Sequence, residues 1–561
     1  MADPVESARG GGPTRPVESA PPPPPPAADE EPHGPAPATF LVASAAIILL
    51  ALGLRLAAIG EESLWGDESH TLITAGKATL AEVIATSRRE VNHPPLYFLL
   101  MHVWIGSFGD GDVSVRLPSA LAGVAAVGGM ILLAGSLRPR RPWLALIAGV
   151  MAATSPFLIY YSQEARNYSL LVAVEIFALW GILPGVGVRA RKGSGHPTAG
   201  ATGAPAPGGA RRPESSGPQA PDAEGLPARG DWRARPGWVR RWGLPLARVL
   251  AVLAAAIIHH YGLLLCGWAA IVMLIRIARQ RRERPWPDLT ALILLVAATA
   301  PLALVAMGDL RRGEGLSWMP ERLVIGDLLD VVGAQVWGPV FAAVPRPLAF
   351  TALAVFCAAL AAAVGAMAWR LVRRIDGGWE GPLLLAAGLL FVAPVAISMA
   401  LRPVIWYGSR YLIVAVPVML LILVRALEVR WLRHLVASSL VLMLACSAFY
   451  LSDLYRYRQK RQWDVAAARL DAESSPGEAI AVIPSRLAPL VERYLHAPLK
   501  VVDDSALFLP DGPGRLWLLA TGDLRAEVIG RTDYRVTGYE VITGRSPAAI
   551  HIHHLERRAA H

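Results

Sequence analysis

Long apolar segments recur along most of this chain, and they constrain its fold more than any other feature. Roughly 20 apolar residues suffice for one helix to cross a membrane. Hydrophobic residues make up 54% of the 561 residues and charged residues only 17%, so that the mean hydropathy is +0.41. We therefore expect an all-α polytopic membrane protein with about 11 transmembrane helices. The predicted spans lie near 40–59, 117–137, 143–162, 168–185, 244–260, 262–278, 288–307, 348–369, 381–401, 412–427 and 433–451.

Arginine-rich turns between these segments predict the orientation, because cytoplasmic loops are enriched in Lys and Arg. An N-terminus on the inside also puts the basic turns at 138–141, 276–284, 370–374 and 425–433 on the inside. The formal charge of +10 is then explained by orientation signals, and we expect no nucleic-acid partner. This topology requires the stretch 93–110 to lie at the outer face as an amphipathic interfacial helix.

Composition divides the chain further. Residues 1–37 are rich in Pro, Ala and Glu, which predicts a disordered cytoplasmic tail. The Gly-, Pro- and Arg-rich stretch 186–243 is expected to be a disordered cytoplasmic insert. It interrupts a membrane domain at 38–455, whose large outer loop at 60–116 carries the most unusual polar residues.

Residues 456–561 are expected to form a small extracytoplasmic α/β domain, because short apolar runs alternate there with amphipathic stretches. Strands are predicted around 479–483 and 516–520, with an amphipathic stretch at 485–496. The domain is expected either to shield the site or to recognise an acceptor. The loosely spaced histidines at its end are expected in a solvated tail: His551, His553, His554 and His561.

The predicted topology gathers ionisable groups on the outer face. Such groups are costly near a membrane unless they are paired or functional. An adjacent acidic pair, Asp67-Glu68, follows the first apolar segment, and a His-Pro-Pro-Leu-Tyr-Phe hexapeptide occupies 93–98. The other outer-face groups are the turn 162–168 with Glu164, Arg166 and Tyr168, then His259-His260-Tyr261, Asp309 to Arg312, and Tyr407 to Tyr411 with Arg410. A single external site containing them is therefore predicted.

Each of these elements also has an ordinary structural interpretation. Acidic residues favour helix N-termini, a Glu–Arg pair is common at headgroup level, and a cation near the membrane face can snorkel to water. These interpretations apply to Asp67-Glu68, to Glu164 with Arg166, and to Arg410. Their convergence on one predicted face favours the functional interpretation.

The combination of Asp67-Glu68, the 93–98 hexapeptide, the segment 163–168, His260-Tyr261 and Arg410-Tyr411 resembles the polyprenyl-phosphate-sugar-dependent glycosyltransferases. This family is related to protein O-mannosyltransferases and to the aminoarabinose transferases that modify lipid A. The resemblance covers about 40–455 and is strongest over 60–170. It implies the GT-C architecture, in which membrane helices and a large first outer loop form an outward-facing site at the lipid interface.

The resemblance implies a general base at the first acid, Asp67, and direct attack on the anomeric carbon with inversion. Glu68 would then orient the acceptor or hold a neighbouring cation. Cationic donors stabilise the phosphate that leaves, and Arg166 and Arg410 are the first candidates, with Arg311, Arg312 and His260 behind them. The expected substrate- or phosphate-binding residues are His93, Tyr97, Glu164, Arg166, Tyr168, His260, Tyr261, Arg410 and Tyr411.

The expected reaction moves mannose, or a related hexose or pentose, from a polyprenyl phosphate to a hydroxyl of a protein, glycan or lipid. No Gly-rich phosphate loop is apparent, which argues against a nucleotide-sugar donor. We expect no cofactor and no metal, with a divalent ion held by Asp67, Glu68 and a His as the alternative.

The alternative function is a transporter or flippase of lipid-linked sugar intermediates. Such proteins usually carry ionisable groups or broken helices near the middle of the membrane, whereas the polar residues here gather at one face. The Ala-, Arg-, Gly- and Pro-rich composition predicts a bacterial plasma membrane location. The site and the C-terminal domain would lie outside.

Overall fold

The computed structural model of the chain describes residues 37–88, 94–186, 244–279, 286–312, 325–339, 343–373, 378–400, 409–503, 513–524, 532–543 and 549–558. The predicted disordered tail and the predicted insert lie outside the described residues, except for their boundary residues Pro37 and Val186.

Helices form most of the described membrane domain. Its helices are α1 (Pro37–Leu56), α2 (Gly66–Ala75), α3 (Leu80–Ser87), α4 (Leu96–Phe108), α5 (Asp112–Leu137), α6 (Pro142–Thr154), α7 (Pro156–Ser162), α8 (Tyr168–Ile182), α9 (Leu244–Ile258), α10 (Gly262–Arg279), α11 (Trp286–Arg312), α12 (Ile325–Trp337), α13 (Arg346–Val372), α14 (Glu380–Ala387), α15 (Ala393–Ala400), α16 (Ala415–Ala426) and α17 (Arg433–Leu454). A π-helical turn, Gly388–Val392, joins α14 to α15, and a 3-10 turn, Ser409–Leu412, precedes α16.

Six spans among the described helices are long and apolar enough to cross a membrane: α1, α5, α11, α13, the continuous α14–α15 and α17. Helices α6 and α7 meet at a bend of 55° and would together make a seventh. The chain is thus a mostly helical, multi-pass membrane protein.

The expected number of eleven spans is not confirmed, since length and composition support six or seven. Four of the predicted spans, 168–185, 244–260, 262–278 and 412–427, fall on the shorter apolar helices α8, α9, α10 and α16. Hydropathy measures how apolar a stretch is, whereas the helix length also depends on where caps and turns interrupt the backbone. Helix α4 occupies the stretch predicted to be an interfacial helix, and its 13 residues are too few for a span.

The break between α6 and α7 is held by a buried arginine. Pro156 has no amide hydrogen, so the last carbonyls of α6 lack their usual helical donors. Arg55 of α1 donates to the carbonyl oxygens of Ala152 and Ala153, each at 3.2 Å. Gly123 of α5 gives this guanidinium its space, because a Cβ there would lie 2.7 Å from Arg55 Nε.

Three of the predicted basic turns converge on one buried carboxylate at the end of the bundle opposite to α2. Glu380 lies 2.7 Å from Arg425 Nη2, 3.4 Å from Arg370 Nε and 3.7 Å from Arg138 Nη2. Turns that the sequence assigned to one side of the membrane therefore do meet, and a shared counter-ion ties α5, α13, α14 and α16 together.

The C-terminal part forms the α/β fold that the sequence predicts. Its helices are α18 (Trp463–Glu473) and α19 (Ala488–Tyr494), and its strands are β1 (Ala479–Ile483), β2 (Lys500–Val502), β3 (Arg515–Ala520), β4 (Tyr534–Thr543) and β5 (Ala549–Arg557). The sheet has the order β2-β1-β3-β5-β4. Strand β1 pairs in parallel with β2 and β3, whereas β5 is antiparallel to both β3 and β4.

The expectation of a solvated histidine tail is wrong for three of the four histidines. His551, His553 and His554 lie in β5, and His553 is fully buried. His561 lies outside the described residues. The loose spacing of these histidines suggested a tail, but it is also compatible with a strand, in which alternate side chains lie on opposite faces.

The sheet and the outer loop share one apolar core. Ile480, Val482 and Leu519 project from one face of the sheet into the cluster that contains Phe98 of α4 and Val115 of α5. The C-terminal domain is therefore packed onto the outer loop rather than tethered beside it.

A tryptophan at the start of α18 lies at this junction. The Trp463 side chain is 1% exposed, and its backbone N–H donates to Ser63 Oγ at 3.0 Å. Ser63 Oγ also donates to the carbonyl oxygen of Arg461 at 2.8 Å. The outer loop is thus fixed by the first residues of the C-terminal domain.

Trp463→Ala is expected to destabilise the whole protein by about 3–5 kcal/mol, because it leaves a cavity in this shared core. Thermal unfolding in detergent measures the loss, and Val465→Ala on the 39% exposed face of the same helix is the matched control. Equal melting temperatures for the two variants would contradict a shared core.

Candidate active site

The acidic pair lies in the first turn of α2, where carboxylates also favour the helix N-terminus. Successive residues of a helix point in directions about 100° apart, so the two neighbours face different surroundings. The Asp67 side chain is 30% exposed, whereas the Glu68 side chain is fully buried. The pair therefore combines an accessible carboxylate with a structural one.

Glu68 is the centre of a buried charge network. Arg116 of α5 donates from Nε to Oε1 at 2.7 Å and from Nη2 to Oε2 at 2.8 Å. Lys460 Nζ lies 3.3 Å from Oε2, and the N–H of Ala165 donates to Oε1 at 2.9 Å. Burial by itself raises the pKa of this carboxyl, but the two cations and the hydrogen bonds outweigh it and hold the pKa at about 2.

Asp67 faces a cation that lies 343 residues later in the chain. Arg410 Nη1 lies 2.7 Å from Asp67 Oδ2. The Arg410 guanidinium also lies over the rings of Tyr411, at 5.3 Å, and Trp65, at 5.9 Å. These contacts fix the guanidinium beside the accessible carboxylate.

A second arginine holds the backbone at the same point. Arg166 Nη1 donates to the carbonyl oxygen of Asp67 at 3.0 Å. Its own carbonyl oxygen accepts a hydrogen bond from Ser119 Oγ at 2.8 Å. Arg166 is buried, and Asp67 is the main attraction that offsets the cost of burial and raises its pKa.

Glu164 is buried in the same turn but is much less well satisfied than Glu68. Lys460 Nζ is 3.6 Å from Oε1, and neither carboxylate oxygen accepts a hydrogen bond from a described residue. Burial raises the pKa of Glu164 to about 7, and the neighbouring negative charges of Glu68 and Asp67 add to the effect of burial. An ion pair with Arg166, the ordinary interpretation of this turn, is therefore not what the carboxylate makes.

Aromatic rings line one side of Arg410. Tyr261 stacks on Tyr411 with ring centroids 5.7 Å apart and an interplanar angle of 13°. Buried His259 lies 6.2 Å from the Tyr168 ring and 6.1 Å from the Tyr411 ring. Of the two adjacent histidines, the sequence favoured His260, which is half-buried, whereas His259 makes these contacts.

A cavity of about 670 Å³ lies between α2 and the C-terminal domain. Its lining includes Asp67, His70, Arg166 and Arg410 from the membrane domain, and Arg461, Trp463 and Arg486 from the C-terminal domain. Glu68 does not line it. Such a volume lies in the range of small-molecule sites.

The remaining predicted residues are distributed unevenly. Tyr97 of α4 is 3% exposed and packs against Phe98 behind the site. His93 lies outside the described residues, as do Tyr407 and the side chains of Arg311 and Arg312.

Several residues of the site escaped the sequence analysis. In the sequence, Arg116 is a charged residue at the start of an apolar segment. Lys460 belongs to a run of basic residues after the last apolar segment. Its position at the edge of an apolar segment, where ionisable groups are costly, was the available signal for Arg116. Nothing in the local sequence marks Lys460, Arg461 or Arg486.

No three His, Cys, Asp or Glu side chains come together in a metal-binding arrangement within the ranges that the structure describes.

Residues 92–201 match the family model of the dolichyl-phosphate-mannose-protein mannosyltransferases. No curated protein matches the sequence.

Among solved structures, ArnT from Cupriavidus metallidurans in the apo state has 13% sequence identity and a TM-score of 0.51, with 92% of this chain and 98% of that chain covered. The same protein bound to undecaprenyl phosphate has 14% identity, a TM-score of 0.49 and the same coverage. The oligosaccharyltransferase of Archaeoglobus fulgidus has 12% identity and a TM-score of 0.45, with 89% and 72% covered. The family match and the ArnT-like fold confirm the resemblance that the sequence motifs indicated.

Glu68→Gln is expected to lower the unfolding free energy by about 3–5 kcal/mol, because it leaves the buried cations of Arg116 and Lys460 without their counter-ion. Thermal unfolding in detergent measures this loss, with Glu82→Gln on the exposed face of α3 as control. A loss no larger than in the control would contradict the central role of this carboxylate.

Stability is expected to depend on pH through Glu164. A carboxyl whose pKa is raised on folding stabilises the fold fully below its ordinary value of 4.5, and this contribution is lost as the pH rises to about 7. The loss is on the order of 3 kcal/mol, since each pKa unit is worth about 1.4 kcal/mol.

Melting temperatures between pH 4.5 and 7 provide the measurement, in the window that Glu164 itself sets. Glu164→Gln removes this part of the slope. A variant with the wild-type slope would show that the carboxyl titrates normally.

Proposed function

We propose that the chain is a membrane glycosyltransferase of the GT-C class that transfers a sugar from a polyprenyl-phosphate donor to an acceptor hydroxyl, with Asp67 as the general base. The observation that carries the proposal is the accessible Asp67 carboxylate, paired with Arg410 at 2.7 Å on the wall of a 670 Å³ cavity. The donor sugar is mannose or a related hexose or pentose.

The reaction needs a base and a stabilised leaving group at one point. The acceptor oxygen attacks the anomeric carbon, its proton passes to Asp67, and the bond between that carbon and the phosphate oxygen breaks. Polyprenyl phosphate leaves with one more negative charge than the donor carried. Attack from the side opposite to the phosphate inverts the anomeric centre without a carboxylate nucleophile.

Arg410 connects these two requirements. In the resting site its guanidinium is bound to Asp67 at 2.7 Å. An arriving phosphate competes for the same guanidinium, and its binding frees the Asp67 carboxylate oxygen to meet the acceptor hydroxyl. Arg166, which binds the Asp67 carbonyl oxygen, keeps the base in position while this exchange occurs.

An apolar cavity of about 350 Å³ beside α4 suits the first isoprenoid units of the donor. Leu100, Trp104 and Phe108 of α4 line it, together with Leu170 of α8. Ser119 also lines it, and this residue donates to the Arg166 carbonyl oxygen. Apolar side chains of α4 remain exposed around it, which is expected where the protein meets lipid.

The location follows from this chemistry. A lipid-linked sugar presents its anomeric carbon at headgroup level, so the site belongs at a membrane surface. We place it on the outer face of a bacterial plasma membrane, with the C-terminal domain over it and the N-terminus in the cytoplasm.

Asp67→Asn is expected to lower transfer by at least about 1,000-fold, because the amide cannot accept the proton. The measurement is release of radiolabelled sugar from synthetic polyprenyl-phosphate mannose and related donors by the purified protein in lipid. Glu61→Gln, an exposed acid of the same loop, is the control.

The assay includes donor hydrolysis, so that water substitutes for an unidentified acceptor. Wild-type turnover that survives in Asp67→Asn would assign the base elsewhere. No turnover with any donor, together with donor translocation across vesicles, would favour the transporter.

A further inference from the structure

The cavity beside Asp67 has two walls of different origin. One belongs to the membrane domain and contains Asp67, Arg166 and Arg410. The other belongs to the C-terminal domain and contains Arg461 and Arg486. One carboxylate therefore faces four guanidinium groups, which is more positive charge than one donor phosphate requires.

The two pairs of arginines differ in their partners. Arg410 is bound to Asp67, and Arg166 to the Asp67 carbonyl oxygen. Within the part of the chain that the structure describes, neither Arg461 nor Arg486 forms an ion pair, and Arg461 Nε is buried without a hydrogen-bond partner. A buried guanidinium N–H that lacks an acceptor can donate a charge-assisted hydrogen bond to an incoming anion.

Arg461 stands at a fixed position relative to the base. Its carbonyl oxygen accepts a hydrogen bond from Ser63 Oγ, and the backbone N–H of Trp463 donates to Ser63 Oγ. Ser63 precedes α2 by only three residues. The guanidinium is thus attached to a segment that the outer loop holds in place.

Arg486 reaches the cavity from the short 3-10 turn Ser485–Leu487 after β1. The neighbouring Leu487 packs against Gly66, where a Cβ would lie 3.2 Å from Leu487 Cδ2. The turn therefore packs against Gly66, the residue that precedes Asp67. Both arginines of the C-terminal wall are anchored next to the catalytic turn.

We propose that Arg461 and Arg486 form an anion-binding subsite for the acceptor, and that the acceptor carries a carboxylate or phosphate near the hydroxyl that is glycosylated. The C-terminal domain then selects the acceptor, and the membrane domain binds the donor. This inference rests on the proposed glycosyltransferase function and names the substrate class of its second reactant.

The physical basis is geometric and electrostatic. An acceptor held only by its hydroxyl would be oriented poorly, whereas a second contact at its anionic group fixes the hydroxyl against Asp67. Guanidinium groups suit this task because their planar donors bind carboxylate or phosphate through two hydrogen bonds. The subsite lies on the wall of the cavity formed by the C-terminal domain.

The test is equilibrium dialysis of radiolabelled glucuronate and glucose against the full-length protein in phosphatidylcholine nanodiscs. Saturating polyprenyl phosphate is included, so that the donor site is filled and cannot bind the probe. We expect glucuronate to bind at least roughly tenfold more tightly than glucose. Arg461→Gln with Arg486→Gln removes this preference.

Arg469→Gln is the matched control, since this 46% exposed arginine lies on α18 outside the cavity. Arg486→Glu serves if the double variant does not fold, because Arg486 is exposed, and it is expected to reverse the preference towards glucose. Equal binding of the two sugars by the wild type, or no binding of either, overturns the proposal.

Kinetics separate this subsite from the donor site. With a transferable donor, the variants are expected to raise the KM for glucuronate more than the KM for the donor. A raised KM for the donor instead would assign both arginines to the donor phosphate and overturn the proposal. Absence of donor hydrolysis in the wild type would count against the proposed function, whereas the dialysis result stands independently.

The same anionic chemistry has two sources, a lipid headgroup and a water-soluble glycan. Nanodiscs with phosphatidylglycerol distinguish them. Label recovered in the lipid, together with displacement of glucuronate, identifies a headgroup acceptor. Label on aqueous glucuronate in the same nanodiscs identifies a soluble one, and both results support an anionic acceptor.

Discussion

The candidate site depends on one buried carboxylate. Glu68 has no access to water, so its charge is tolerated only because Arg116, Lys460 and the N–H of Ala165 surround it. These partners come from α5, from the link into the C-terminal domain and from the turn before α8. A single ionised group thereby fixes the relative positions of four segments, and Asp67 is directly attached to it. The position of Asp67 therefore depends on the contacts of Glu68.

Helical geometry explains why two adjacent acidic residues, one accessible and one buried, have different roles. Asp67 reaches the cavity and Glu68 the interior because adjacent residues in the first turn of α2 point about 100° apart. The same geometry explains why the ordinary interpretation of the pair, as acids at a helix start, is also true. Structural and chemical uses of this sequence are compatible because they apply to different side chains.

The sequence predicted the membrane class, the strand 479–483 and the residues Asp67, Arg166 and Arg410, which the structure brings together. These features depend on local composition or on short motifs. The expected eleven spans are not confirmed among the described residues, because apolar composition does not reveal where short helices such as α8 and α16 begin and end. Partners that lie far apart in the chain were not predictable from one sequence. Lys460 illustrates this, since only the fold brings it to Glu68 across 392 residues.

That separation bears on how the protein is made. Chains fold from the N-terminus as they are synthesised, and α1 to α5, with the whole outer loop, are complete long before Lys460 leaves the ribosome. Until then Glu68 has Arg116 but lacks its second cation, and the wall that carries Trp463 does not exist. The cavity beside Asp67 is consequently one of the last parts to be assembled. An incomplete chain in the membrane therefore lacks the wall from which Arg461 and Arg486 face Asp67.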